Sequence, residues 1–293
     1  MKYRKLGKTG LEVSVIGVGT WQFGGEWGRE FGQAEVDAIL DKAAEHGVNL
    51  IDTAECYGDH TSERLIGDYL SRRDRSRWIV ATKFGHRFHG FMDRTWDSSV
   101  AGVKEQLEAS LKALRTDWID LYQFHSGSDE DFDRPELWEM LAREKAAGRA
   151  RHLGISIAGK GGPHQAREAS RMGAEALQVV YNRLERRAEQ DFFPLAQEQG
   201  LGILARVPLA SGFLSGKYSA AGPFPKDDVR ATFDQEKLAR WAAEVEVIRQ
   251  KELPAGVQMS QWALAWCLKN PLVSSVIPGS KDVRQMEANA KAV

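Results

Sequence analysis

Residues 17–28 read GVGTWQFGGEWG, and their reading decides the fold. They follow the first strand-like run, Val13–Thr20, at the place where a doubly wound nucleotide-binding sheet carries a GxGxxG turn that opens a helix. Here the glycines are interleaved with aromatics, and no helical period begins until Ala34. The stretch therefore reads as a long loop after a strand. Seven further short apolar or β-branched runs follow: Asn49–Ala54, Trp78–Lys83, Trp118–His125, Arg151–Ser156, Ala176–Asn182, Leu201–Pro208 and Val273–Pro278. Most are apolar on both faces, as strands buried in a parallel sheet are. Between them lie amphipathic segments such as AEVDAILDKAAEHG, VKEQLEASLKALR, PELWEMLAREKAAGR and HQAREASRMG. Gly47, Gly148, Gly173 and Gly200 stand where helix C-caps are expected. Eight strands alternating with helices predict an α/β protein built as one (β/α)8 TIM barrel over residues 1–293.

Two additions decorate the repeat. KYRKLGKTGLEVS reads as an N-terminal β-hairpin turning at Lys8-Thr9-Gly10 and plugging the barrel floor. Between strands seven and eight lie a long loop, from Ala210 to Phe233, and extra helical stretches at Gln235–Lys251 and Gln258–Lys269. The 293 residues show no linker, low-complexity tract or second domain.

Composition narrows the class of function. Forty Lys and Arg balance 41 Asp and Glu, which argues against bulk attraction to nucleic acid or an anionic membrane. No run approaches the roughly 18 apolar residues of a membrane span, and the N-terminus lacks a signal-peptide core. Cys56 and Cys267 are too few for a disulfide framework. A cytoplasmic protein is the expectation.

Asp52 and Tyr57 follow NLI, Lys83 closes WIVATK, and His125 closes WIDLYQFH. In a parallel barrel all four reach the C-terminal rim, where barrel active sites lie. Each alone has a structural reading: a loop cap, a half-buried core ring, an ion-pair partner, a satisfied strand-end imidazole. Together they suit carbonyl reduction. Negative charge grows on the carbonyl oxygen as hydride reaches carbon, so a proton donor must stand beside it. Tyr57 can donate, although an unperturbed phenol has a pKa of about 10. An ammonium about 4 Å away, at an effective dielectric of about 20, attracts the phenolate by roughly 4 kcal/mol, before desolvation opposes it. Lys83 is thus expected to bring Tyr57 toward neutrality, with Asp52 keeping Lys83 charged and oriented. His125 would supply a neutral N–H to the carbonyl oxygen.

These residues sit in IDTAECYG, TKFG and LYQFH, and the flanking YRKLGKTGLEVSVIGVGTW, GIS, VVYNRLER, RVPLASGFLSGKY and IPGSKDVRQMEAN extend the pattern over nearly the whole chain. In all of these the sequence resembles the aldo-keto reductase superfamily, especially a bacterial branch of inositol- and aldehyde-reducing stress proteins. The resemblance implies a (β/α)8 barrel and a catalytic tetrad of Asp52, Tyr57, Lys83 and His125, with Tyr57 as general acid. It also implies an NADPH/NADP+ cofactor, with NADH disfavoured, held across the rim. Ser156, Gln178 and Asn182 would meet the nicotinamide carboxamide, and Tyr181 would stack on the ring. Leu209, Ser211, Gly212, Leu214 and Gly216 would track the pyrophosphate. Ser280 and Lys281, with Arg284 or Gln285 one turn on, would hold a 2′-phosphate at a helix N-terminus, Gly279 would bind the cofactor beside them, and Asn289 would meet the adenine. Two positions depart from the family pattern: Ile157 follows Ser156 in place of Asn, and Ala288 precedes Asn289 in place of Glu. By resemblance the last helix is expected to continue beyond Val293 into a further helix and tail.

Trp21 and Phe88 are the expected substrate wall, facing a small-molecule carbonyl or alcohol, sugar- and polyol-derived ones included. His86, Arg87, His89 and Arg94 make the third rim loop basic. Cys56 reads as a buried structural thiol. Two rival readings remain: a slow-turnover, redox-sensing regulatory subunit that keeps the tetrad, and a metal-dependent hydrolase using Asp52, His125 and the loop histidines. No metal is expected, since no H-x-H pair ends strand one.

Overall fold

The computed structural model describes residues 1–218 and 224–293; part of the predicted loop, 219–223, lies outside them. An antiparallel hairpin, β1 (Tyr3–Lys5) and β2 (Glu12–Ser14), precedes the first barrel strand, β3 (Val18–Gly19). The rest of the barrel is β4 (Leu50–Asp52), β5 (Ile79–Phe84), β8 (Ile119–His125), β9 (Ala150–Ser156), β10 (Ala176–Val180), β11 (Gly202–Arg206) and β12 (Val273–Val276). Between β5 and β8 an unexpected hairpin, β6 (His86–Gly90) and β7 (Asp93–Trp96), stands on the rim. The eight barrel strands pair in parallel in the order β3-β4-β5-β8-β9-β10-β11-β12. Parallel bridges Ile16–Val276 and Gly19–Gly279 join the last strand to the first and close the barrel.

The predicted first strand, Val13–Thr20, is divided. The Ser14 hydroxyl donates to Ile16 O at 2.7 Å, and Ser14 N–H donates to Asn49 Oδ1 at 2.7 Å. These local bonds replace ladder bonds and turn the chain between hairpin and barrel. Gly19 then lets the seam close, because a Cβ there would lie 2.6 Å from Ile277 O.

Alternation along the strands sets the layers. Ile51, Val80, Tyr122, Ile155, Leu177, Val179 and Ile203 face outward into the main core. Against them pack residues such as Ile39 and Leu40 of α1 (Gln33–Glu45), Ile66 of α2 (Thr61–Leu70), Leu107 of α3 (Val100–Leu114) and Leu141 of a later helix, Pro135–Ala146. Each such buried side chain contributes about 1.5–3 kcal/mol. Leu50, Ala81, Leu121, Ala176, Leu204 and Ile277 face inward and form the lower barrel interior with Leu6 and Val13 of the hairpin, as the plug reading expects.

The extra helices occupy Gln235–Lys251 and Met259–Leu268, and they enclose a second apolar cluster around Phe213, Leu214, Trp241 and Trp262. Among the described residues no helix is long and apolar enough to cross a membrane.

Candidate active site

Two residues toward the C-terminal end of five lower-layer residues, and of Gly154 level with Ala176, stands a polar one. Leu50 leads to Asp52, Ala81 to Lys83, Leu121 to Gln123, Gly154 to Ser156, Ala176 to Gln178 and Leu204 to Arg206. The strand register keeps them adjacent: Lys83 is level with Gln123, and Ser156 with both His125 and Gln178. A polar ring therefore lies on the apolar floor, just below the rim.

The Lys83 side chain is wholly buried. Its Nζ donates to Asp52 Oδ1 at 2.8 Å, Thr53 O at 2.6 Å and the Tyr57 hydroxyl at 3.2 Å, which uses all three N–H bonds. Asp52, 3% exposed, accepts on Oδ2 from Gln178 at 2.6 Å and from Gln123 at 3.3 Å. Gln178 also donates to Gln123 Oε1 at 3.2 Å and accepts from the Ser156 hydroxyl at 3.4 Å. The buried ion pair is thus fully hydrogen-bonded, the condition under which such a pair is tolerated in a core. Gln123 is absent from the sequence expectation. Its signal was a lone amide inside the apolar run LYQF.

Burial pushes the Tyr57 phenol up to about 12; the Lys83 charge opposes this but does not win. The expectation of a Tyr57 tuned toward neutrality is therefore not met. Asp52, bonded to the same ammonium, adds to the effect of burial, and the phenol stays protonated. For Lys83, burial acts downward, but Asp52 and Tyr57 outweigh it and hold the ammonium above its usual range. His125 is held neutral, well below its usual pKa, by burial and by His86 beside it. Its ring meets Tyr57 edge-on at 6.3 Å.

Trp21 stacks near-parallel to the Tyr57 ring, with centroids 6.0 Å apart. Its indole N–H donates to Glu26 at 2.7 Å, and the buried Glu26 carboxylate also pairs with Arg94 on β7. That pair ties the rim hairpin to the loop after β3. Phe88 instead packs within the hairpin, with the Arg94 guanidinium 5.9 Å from its ring. The third loop is also less basic than its composition suggests. Arg87 pairs with Asp97 and Glu105, Arg94 pairs with Glu26, and burial drops His86 to about 4.

Several expected cofactor contacts lie elsewhere. Tyr181 is buried among helices, its ring against Phe193 and Trp266 and its hydroxyl on Glu189, so it offers no face at the rim. Asn182 Oδ1 accepts from Leu184 and Glu185 N–H, and its amide donates to Val207 O, so it shapes a turn. Leu214 is fully buried in the second cluster. Ser280 and Asn289 are buried and bonded to each other at 3.0 Å. Gln285 accepts from Lys281 N–H, and Asp282 caps the helix Val283–Ala290 by accepting from Gln285 N–H. An acidic cap stands where the helix start was expected to hold phosphate.

What remains still fits an extended, anionic dinucleotide. Burial lowers Lys281, and Arg230, Arg29 and Lys217 add to this against the opposing charge of Asp228, which pairs with Arg230; the Lys281 ammonium suits a phosphate. Arg284 is exposed beside it, while Gly279 packs under Gln22. Leu209, Ser211, Gly212 and Gly216 line the strand-seven loop, where Ala210, Ser211 and Gly212 all have positive φ, a strain typical of ligand loops. Arg206, on the polar ring, donates to Ile157 O at 3.1 Å but leaves a buried Nε without a partner. No carboxylate pairs with it among the described residues. A ligand at the rim beside Ser156 and Gln178 would complete it.

Known proteins share this fold. The aldo/keto reductase family model matches residues 15–293. Uncharacterized oxidoreductase YqkF of Bacillus subtilis is 32% identical over 295 residues, covering all of this chain and 91% of its own length. A probable voltage-gated potassium channel subunit beta of Arabidopsis thaliana is 32% identical over 311 residues, covering 100% and 91%. Among solved structures, the holo form of aldo-keto reductase AKR11C1 from Bacillus halodurans superposes with a TM-score of 0.81 at 32% identity, over 100% of this chain and 90% of that one. Barrel, rim quartet and these relatives together place the chain in the aldo/keto reductase family of oxidoreductases.

Proposed function

We propose that the protein reduces an aldehyde or ketone with a nicotinamide nucleotide, with Tyr57 as general acid. The observation that carries this reading is the Lys83 ammonium shared between Asp52 and the Tyr57 hydroxyl. The nucleotide supplies hydride to the carbonyl carbon. Tyr57 stays protonated at neutral pH and hands its proton to the oxygen as charge develops there. Lys83, fixed by Asp52, stabilises the phenolate left behind. Neutral His125 donates to the same oxygen and orients it.

Ser156 and Gln178 are the best-placed residues for the carboxamide, and Arg206, unpartnered at Nε, is added to them. Lys281 and Arg284 favour NADPH over NADH, because a 2′-phosphate gains two cations that a bare ribose does not. The wall of Trp21 suits a small carbonyl or alcohol with an apolar or sugar-like face. We place the reaction in the cytoplasm, on balanced charge and the two free cysteines.

The test is NADPH consumption with a panel of aldehydes, ketones and ketoses, using wild type and Tyr57→Phe. Turnover lost in the variant supports the reading; turnover retained overturns the role of Tyr57. The likeness to a channel beta subunit favours a second reading, a slow cofactor-binding regulator. Sub-stoichiometric product over many minutes with every carbonyl, despite tight NADPH binding, would support that one instead.

A further inference from the structure

Beside the proton-transfer quartet lies a group of side chains that the reduction does not use. Glu55 and Cys56 precede Tyr57, and both are nearly fully buried. Glu55 accepts from His86 N–H through Oε1, at 2.9 Å, while its Oε2 is buried with no partner. Cys56 Sγ lies 3.8 Å from His125 Nδ1. One ligand atom from each of Glu55, Cys56 and His125 falls within 4.8 Å of the others.

From this we propose that Glu55, Cys56 and His125 form an inhibitory site for a borderline-soft divalent cation, Zn2+ or its analogue Cd2+. A carboxylate oxygen, a thiolate and an imidazole nitrogen are a donor set that Zn2+ accepts, three protein ligands leaving a fourth position open. The orphaned Glu55 oxygen is the second pointer to a ligand, since a buried carboxylate oxygen otherwise finds a donor. Half-buried His125 gives the cation a path in from the barrel mouth. On binding, the thiol proton, and the proton that burial holds on the Glu55 carboxyl, leave to solvent as the sulfur–metal and oxygen–metal bonds form. Ligation through Nδ1, the nitrogen that faces Cys56, leaves Nε2–H a donor but fixes the ring toward Cys56, and the inhibition is that lost freedom to follow a carbonyl oxygen. The site is distinct from a metal-dependent hydrolase built on Asp52, whose two oxygens are taken by Lys83, Gln123 and Gln178.

Binding does not depend on the proposed reaction; only the inhibition does, so two arms separate them. In the first, purified protein is titrated with Cd2+ while the ultraviolet thiolate-to-metal charge-transfer absorbance is followed. Wild type and Cys267→Ser should both saturate near one equivalent per chain, roughly the stoichiometry of a single site. Cys56→Ser should lose the band, and the isosteric Glu55→Gln should need about tenfold more metal, since a lost ligand-shell partner commonly costs 10–100-fold. A band that persists without Cys56, or that vanishes with Cys267, overturns the site. In the second arm, Zn2+ should suppress wild-type turnover, chelator should restore it, and Cys56→Ser should keep its turnover in Zn2+. Wild-type turnover indifferent to saturating Zn2+ would overturn the inhibitory role, whatever the first arm shows.

Discussion

Gln178 Nε2 lies 2.6 Å from Asp52 Oδ2, so the carboxylate that holds Lys83 is itself held by a strand on the other side of the barrel. The ammonium reaches the phenol at 3.2 Å only while that carboxylate keeps its orientation. Gln178→Leu should therefore leave Asp52 Oδ2 with only the longer bond from Gln123 and cost about 1.5–3 kcal/mol of stability, the value of a hydrogen bond to a charged group. Turnover should fall more than substrate affinity. Urea unfolding and steady-state kinetics of the same sample read both effects.

Tyr57→Phe removes the proton donor and leaves the ring that packs beneath Trp21. Reduction should drop by roughly 100- to 10,000-fold, the range of general acid catalysis. NADPH affinity by tryptophan quenching should change by less than about twofold. A variant keeping more than about a tenth of wild-type turnover would remove Tyr57 from the acid role.

The pH profile follows from two shifts. The protonated phenol is the active form in reduction, and it is lost only as pH rises through about 12. His125 is held neutral, so its protonation begins well below the ordinary imidazole range. The kcat/KM for reduction should thus stay flat from about pH 6 to pH 9. An acid limb centred near the ordinary imidazole value, removed by His125→Gln, would show that burial does not control this histidine.

Lys281→Ala should weaken NADPH by about 10- to 100-fold, the value of one charge-assisted contact, and NADH by much less. Equal losses would place Lys281 away from the 2′-phosphate. Asp282→Asn, which removes the acidic cap, should tighten NADPH in the same titration.

The Glu26–Arg94 pair should act as a clasp on the substrate wall. Glu26→Gln leaves Trp21 a neutral acceptor but weakens the tie to β7. KM for carbonyls should rise several-fold with NADPH affinity unchanged, read from initial rates at saturating cofactor.

Most of this was legible in the chain, and the exceptions share a cause. The barrel followed from eight apolar runs, and the quartet from residues at their ends. Gln123 and Arg206 were missed because each looked like an isolated polar residue. Stepping two positions from Leu121 and Leu204 places both in the ring with Asp52 and Lys83. The same period of two excludes Tyr181 from the rim, since Gln178 faces inward and the third residue after it must face out. Tyr57 escaped the expected tuning because its burial, which no single residue of the sequence announces, outweighs the Lys83 charge, with Asp52 adding to the rise. The acidic cap at Asp282 was visible in SKDVRQ, but the phosphate reading took its neighbours and passed over it.

The seam between Gly19 and Gly279 also bears on synthesis. The first barrel strand leaves the ribosome with one edge paired to β4 and the other facing nothing until β12 emerges, more than 250 residues later. Nascent chains must carry an open sheet edge for most of translation, and unpaired edges template aggregation. The narrowness of that edge strand, two residues by its ladder pairing, limits the hazard.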